Sequence, residues 1–490
     1  MKNLQVGDND LVGNRFNGHD LHLYLQQRGI SSHHLVKTKR SDDPHTHLLD
    51  PDYAARPTFD ESVAQFERHY DTHALHSPLA FSLLSNPLFL DADIVHYHLI
   101  HNASFNLHLF PMLTALKPSV WTIHDTWAFT GHCIQPLGCE RWKTGCGECP
   151  HLDTPFVLTT DTSALNWELK RDLMRRCSLD LIVASQHMLD QVRQSPILSH
   201  LPTHLVPFGL DLTAFAPTDP TPARSRLGIP PDNVVLCFRA DTSPFKGLSL
   251  IKEALQRVTS TKQITLLTVA QKGVVPELAK SFHTIEAGWL TNDRAMLDIY
   301  HAADIFLMPS VAEAFGMMAM EAMACGKPVI ACEGTSLPEV LKAPEGGMVV
   351  QAGDVDAFAD AIERLVASPH ERREMGARAR RIAETHYNKD TYVSRIIAVY
   401  EDVIAKRQPE SRLDSILSEQ RKTVGLRPSS AHGVTATVAA RDLPPPTRRF
   451  KGSRQHTFYT RLRQRPGMKL PAVLIVRPIA YLAWLFTGRP

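Results

Sequence analysis

Seven residues separate Glu313 from Glu321 in the run Ser310-Val-Ala-Glu-Ala-Phe-Gly-Met-Met-Ala-Met-Glu321. A carboxylate accepts from two hydroxyls at once. About two helical turns, roughly 12 Å, separate this pair, so it can hold diols at two points of one ligand. A helix expected to start near Phe315 exposes the N–H groups of Phe315, Gly316 and Met317, which suits an anion. The plainer reading is a surface Glu and a helix-face Glu beside a core stripe of Met317, Met320 and Met323. Arg239 and Lys246 bracket a loop ahead of another helix. Arg grips two phosphate oxygens and Lys is a movable point charge. Together they can stabilise charge on a departing phosphate, or be a solvated surface pair. His124, in Thr122-Ile-His-Asp-Thr126, stands just past a strand end, facing a cleft or satisfied within the structure. Asn17 and Gly18 close a glycine turn that lets a ligand approach the backbone or is only a tight turn. Cys133, Cys139, Cys146 and Cys149 are spaced by five, six and two residues. Four thiolates this close can make a tetrahedral Zn2+ site; a local knot without metal is the alternative.

These residues need elements that set loops side by side. Short apolar runs at 4–6, 32–37, 94–98, 120–124 and 181–185 predict strands, with helical spacing at 20–28 between the first two. A second series follows at 234–238, 264–269, 305–308 and 329–331, with helices expected at 247–258, 294–302 and 317–325. Alternation of this kind implies parallel sheets covered by helices. The chain is thus α/β, with two Rossmann-like halves facing a cleft and ligands at the carboxyl ends of the strands. A Pro/Gly crossover lies at 206–211, and 371–407 is expected as one long helical region. The expected domains are 1–208 on the acceptor side, 209–386 for the donor nucleotide, 387–407 as a return helix, 408–450 as a linker and 451–490 as a tail.

At the paired glutamates the chain resembles the family 4 glycosyltransferases, whose hallmark is two Glu separated by seven residues. The likeness extends to Gly288-Trp289-Leu290 and Tyr300–Asp304 before that loop and to Pro338-Glu339-Val340 after it. It includes Phe208-Gly209-Leu210-Asp211 at the crossover, where Phe208 replaces the usual Asn. The segment 123–150, with Trp127, Trp142 and Lys143, is similar to a subgroup making bacterial surface polysaccharide, colanic-acid-type transferases included. The resemblance covers 1–406. It implies a GT-B fold and transfer with retention from a nucleotide sugar, UDP- or GDP-linked, to a saccharide or polyprenyl-linked acceptor. It implies Glu313 and His124 at the donor sugar, Glu321 on the ribose, and Arg239 and Lys246 on the diphosphate. Phe315, Gly316 and Met317, with Asn17 and Gly18, would complete the donor site. No Asp-any-Asp motif occurs at a comparable position, consistent with catalysis without a metal cofactor. A sugar-nucleotide epimerase on the same fold is the alternative.

The composition is that of an ordinary soluble chain, 43% hydrophobic and 21% charged over 490 residues. Its net charge of +2 conceals an asymmetry: residues 441–490 hold eleven Lys/Arg and one acid, leaving 42 bases against 50 acids elsewhere. The bases are confined to the tail and no aromatic-basic motif accompanies the cysteines, so a nucleic-acid partner is not expected. The apolar stretch 471–486 behind that basic segment either lies in an anionic membrane interface or packs on the body. No signal-peptide core follows Met1, and the cysteines fit a reducing compartment. The expected location is cytoplasmic, peripheral on the inner membrane face if the tail binds lipid.

Overall fold

The computed structural model describes residues 1–407, save 52–57, 71, 73–74, 102–104, 155 and 291–292. The expected linker, 408–450, and tail, 451–490, lie outside the described residues. Two parallel sheets carry the fold. The first joins β1 (Lys2–Asn9), β2 (Ser31–Thr38), β3 (Thr46–Leu48), β4 (Ile94–Tyr97), β5 (Ser119–Thr122), β6 (Asp180–Val183) and β7 (Thr203–Leu205) in the order β3-β2-β1-β4-β5-β6-β7. The second joins β8 (Val234–Ala240), β9 (Ile264–Ala270), β10 (His283–Gly288), β11 (Ile305–Met308), β12 (Val329–Cys332) and β13 (Gly347–Val350) in the order β10-β9-β8-β11-β12-β13. All these pairings are parallel. The order reverses at β1/β4 and at β8/β11, the points where open α/β sheets receive ligands. The apolar central strands are those the sequence predicts. The edge strands β3 and β7 are three residues long, and β10 reads His-Thr-Ile-Glu-Ala-Gly, too polar to stand out.

The region 371–407 is not one helix. It divides into Pro369–His386 and Lys389–Lys406, because Asn388 turns to φ −72°, ψ 134° and caps the second helix through its side chain. That second helix returns to the first lobe. Its Tyr400 hydroxyl meets His96 Nδ1 at 2.7 Å and accepts from Gln5 Nε2 at 3.0 Å, while Arg28 donates to Asp390 at 2.7 Å. The outgoing crossover touches the returning one. Leu210 bridges Asn388 in parallel, and a Cβ on Gly209 would fall 2.5 Å from that of Tyr392. Only glycine permits this approach. One hydrophobic cluster runs through both lobes, from Leu21, Ile94 and Val120 to Phe208, Phe315 and Tyr392. Truncating a buried ring such as Phe208 would cost about 3–5 kcal/mol.

Candidate active site

Glu313 leaves the loop that follows β11. The helix behind it, Met317–Ala324, starts at Met317 because Gly316 takes φ 99° as its cap. A Cβ on Gly316 would come within 2.5 Å of Leu337 Cδ2. The loop after β8 is pinned against this one. Val311 N–H donates to Phe245 O at 3.0 Å, and a Cβ on Gly247 would meet Pro309 O at 2.1 Å. The contact sets Lys246 Nζ 2.9 Å from Glu313 Oε2. Arg239, near the end of β8, forks onto Asp241 Oδ2 through Nε at 2.8 Å and Nη2 at 2.7 Å. Burial works to raise the Asp241 carboxyl, but the Ser243 N–H, Arg239 and the Lys246 charge hold its pKa below the ordinary value.

Between the two sheets lies a hollow of about 360 Å³, walled by Arg239, Trp289, Met317 and Glu321 on one side and by Arg15 and Phe16 on the other. Glu321 is only 3% exposed. The Tyr300 hydroxyl donates to its Oε2 at 2.6 Å, and Arg15 Nη1 lies 3.2 Å from its Oε1. Trp289 is 62% exposed, with the Arg239 guanidinium 5.5 Å from its ring centre. His124 stands at the edge of the first sheet's loops. Its ring lies 5.9 Å from that of Phe208 with the planes 3° apart, and its Nε2 is 3.3 Å from His98 Nδ1. Enclosed there, its pKa is pushed down to about 3, so the imidazole is neutral.

Residues 221–382 match the family described as "Glycosyl transferases group 1". The match falls within the second lobe, which is thus similar to group 1 glycosyltransferase domains. The chain is also similar to a D-inositol 3-phosphate glycosyltransferase of Rhodococcus erythropolis, 34% identical over 36% of this chain and 43% of that one. An MMP alpha-(1->4)-mannosyltransferase of Mycolicibacterium hassiacum is 29% identical over 41% of this chain and 49% of that one. The chain spans about half the length of the curated relatives it matches. Solved structures extend the likeness to both lobes. HepE of Anabaena, in complex with UDP-glucose, superposes with a TM-score of 0.57 at 17% identity, over 82% of this chain and all of that one (100%). Sucrose-phosphate synthase of Thermosynechococcus elongatus gives 0.56 at 18%, over 83% and 100%. The fold is GT-B.

Not every expected donor residue faces the hollow between the lobes. Arg239, Met317 and Glu321 do; Glu313 and Lys246 form their ion pair outside its walls. The Phe315 ring is 4% exposed and packs edge-on to Phe208, leaving its backbone alone for a ligand. Asn17 is a correction. Its amide donates to the carbonyls of Asn9, Asp10 and Val12 at 2.7, 2.8 and 2.9 Å, and its Oδ1 takes the His19 N–H. The side chain braces its loop rather than reaching a ligand. Gly18 has φ 100°, and a Cβ there would lie 2.8 Å from His98 Cδ2, so packing requires the glycine. Sequence reasoning passed over Arg15, Tyr300, Asp241 and the stacking face of Trp289. It also passed over Glu339, which accepts the Gln186 N–H at 2.9 and 2.8 Å and the His187 N–H at 3.3 Å, at the start of the first-lobe helix Gln186–Gln194. Ser185 Oγ adds a bond to Ala314 O at 2.6 Å, beside Glu313. The loop carrying Glu313 is thus tied directly to the opposite lobe.

The four loop cysteines line one small cavity with His132 and His151. Among the described residues the trio with ligating atoms within 4.8 Å is Asp180, His204 and Asp402, not these thiols. That trio is already met by cations, since Arg407 reaches Asp180 and Lys406 reaches Asp402. Around the cysteines, Gly131 N–H donates to Cys146 Sγ at 3.3 Å and His132 Nε2 lies 3.3 Å from Cys149 Sγ. Lys170, 1% exposed, donates to the carbonyls of Trp127 and Thr130 at 2.6 and 3.0 Å. Burial pushes the Lys170 pKa down to about 7, against the raising pull of Cys133, Cys146 and Asp125.

Proposed function

We propose that this protein is a retaining glycosyltransferase that moves a sugar from a UDP- or GDP-linked donor to a saccharide or polyprenyl-linked acceptor in bacterial surface polysaccharide synthesis. The observation that carries the reading is the convergence of Glu321, Arg239 and Trp289 on one hollow, with the Lys246–Glu313 pair on the adjoining loop. Trp289 offers an exposed ring to a nucleobase, Glu321 accepts ribose hydroxyls, and Arg239 and Lys246 hold the diphosphate. Glu313 takes hydroxyls of the sugar once a phosphate draws Lys246 away. The acceptor oxygen bonds to the anomeric carbon on the face from which the diphosphate leaves. The acceptor proton passes to the departing phosphate oxygen, so no protein base is consumed. His124, neutral at physiological pH, borders the sugar and steadies positive charge developing there through its carbonyl or ring. With cations on the diphosphate, no divalent metal is needed for transfer, and activity should survive EDTA.

The acceptor class rests on the likeness of segment 123–150 to colanic-acid-type transferases. The relatives' names point to a different acceptor, D-inositol 3-phosphate. No helix among the described residues is long and apolar enough to cross a membrane, and the proposed place of action is the inner membrane face, held by the basic tail. The cysteine loop is proposed to hold a structural Zn2+. Four thiolates around the ion would add negative charge near buried Lys170, and the Gly131 N–H already serves one sulfur. Elemental analysis should return about one zinc per chain, lost in Cys146→Ser and Cys149→Ser; zinc-free protein of unchanged melting temperature would discard the site.

UDP-, GDP- and ADP-sugars should be offered with polyprenyl-linked saccharides and with D-inositol 3-phosphate, and product anomers read by NMR. Glu313→Ala and Lys246→Ala should each lower transfer at least about 100-fold while the fold persists. Inverted product, a donor epimerised without acceptor, or near-normal turnover in either variant would overturn the assignment.

A further inference from the structure

Three cations around the cleft each stand on a carboxylate: Lys246 on Glu313 at 2.9 Å, Arg239 on Asp241 at 2.7 Å and Arg15 on Glu321 at 3.2 Å. The third pair differs from the others because it joins the two lobes. Arg15 belongs to the loop between β1 and the helix His19–Gln27, whereas Glu321 sits in the helix Met317–Ala324. Their side chains are 16% and 4% exposed, and the Arg15 guanidinium lies 5.0 Å from the Phe215 ring centre. The backbone behind Arg15 has little freedom. Asp10, wholly buried, accepts from the N–H groups of Leu11, Arg40 and Ser41, and Asn17 ties three carbonyls of the same loop. Movement at this point therefore belongs to the side chain and not to the loop.

The following step rests on the donor-site reading above. Glu321 Oε2 is engaged by Tyr300 and Oε1 by Arg15. Ribose hydroxyls approaching Oε1 compete with the guanidinium for this buried carboxylate. The displaced group remains in the hollow, because its loop is braced and Arg15 forms part of that wall. The diphosphate arriving with the ribose is the anion available to it. A guanidinium forks onto phosphate oxygens as readily as onto a carboxylate. Glu321, relieved of Arg15, accepts the diol and is not left as a buried charge without donors.

We propose that Arg15 is a donor-binding residue that works by exchange. It holds Glu321 across the cleft until the nucleotide's hydroxyls take its place, and then closes on the diphosphate from the first lobe. Binding of a nucleoside without phosphates sacrifices the Arg15–Glu321 pair and gains nothing for Arg15. Binding of the diphosphate supplies both partners. The exchange thereby selects for nucleotides over nucleosides and draws the lobes onto the donor.

The test uses the full-length chain and isothermal titration with UDP, GDP and ADP, and with uridine, guanosine and adenosine. Arg15→Ala should weaken the diphosphate that wild type binds by at least 10-fold. The matching nucleoside should bind as tightly as to wild type or more tightly, since its competitor is gone. Arg15→Lys keeps a charge without the fork and should fall between; it carries the comparison if Arg15→Ala melts far below wild type. Equal weakening of nucleoside and diphosphate would make Arg15 a structural residue and overturn the exchange, as would an unchanged diphosphate affinity. Failure of wild type to bind any of the three diphosphates would remove the donor-site reading itself.

Discussion

Acid should unfold this protein well above the range in which carboxylates titrate. His22, His34 and His96 are 0% exposed and His98 is 1% exposed. Burial lowers the pKa of His22 to about 4 and holds His34, His96 and His98 well below the ordinary 6.5. In the unfolded chain each would titrate near 6.5. Between pH 7.5 and 5.5 the unfolded chain therefore takes up protons that the folded chain refuses, and stability falls as pH falls. One such histidine removes about 1.4 kcal/mol over those two units, and four together about 5–6 kcal/mol. That is the size of the whole stability of a marginal domain, about 5–15 kcal/mol. Carboxylates with lowered pKa values lose their contribution only below about 4 and leave this window untouched. Urea unfolding followed by tryptophan fluorescence at pH 7.5, 6.5 and 5.5 should show a midpoint falling at each step. His34 gives the internal control, because neither of its ring nitrogens has a hydrogen-bond partner. His34→Leu should shrink the difference between pH 7.5 and 5.5 by about 1.4 kcal/mol. A midpoint that stays flat or rises on acidification, or a variant with the wild-type pH dependence, would refute the reasoning.

Three further outcomes are expected. Glu339→Gln removes the charge facing the start of the helix Gln186–Gln194; it should cost about 0.3–1 kcal/mol and enlarge the radius of gyration seen by small-angle scattering in nucleotide-free protein. Trp289→Ala should weaken nucleotide binding by about 1–3 kcal/mol, the range of base–aromatic stacking, with no change in melting, since the ring is 62% exposed. Gly18→Ala, at φ 100° with a Cβ 2.8 Å from His98, should destabilise by about 1–3 kcal/mol, read as a lower urea midpoint.

The central strands, and the loops that carry Glu313, Arg239 and Lys246 between strand and helix, were legible because each is local. A buried strand is a contiguous apolar run, and a phosphate loop is a short segment between strand and helix. What was not legible depends on contacts distant in sequence. Arg15 pairs with a glutamate 306 residues onward, and nothing in Gly13-Asn-Arg-Phe marks it. Asn17 was read as a ligand contact because Asn before Gly occurs in turns of both kinds. Its three carbonyl partners become visible only when the loop is closed. The return helix expected from 387 was placed to within two residues, but the cap that divides it from Pro369–His386 is a single side chain, Asn388, and helical periodicity resumes at once on the other side. The neutral state of His124 likewise comes from Phe208, Phe16 and His98, drawn from three different segments.

The paired crossings at Leu210 and Asn388 have a mechanical meaning. Two chain segments side by side at one edge behave like the two leaves of a door hinge: bending about their common line is cheap, whereas torsion would stretch one against the other. The close seat of Gly209 on Tyr392 keeps the leaves in register. Opening should accordingly swing the second lobe along a single arc, returning Trp289 and Glu321 to the same station opposite Arg15 at every closure.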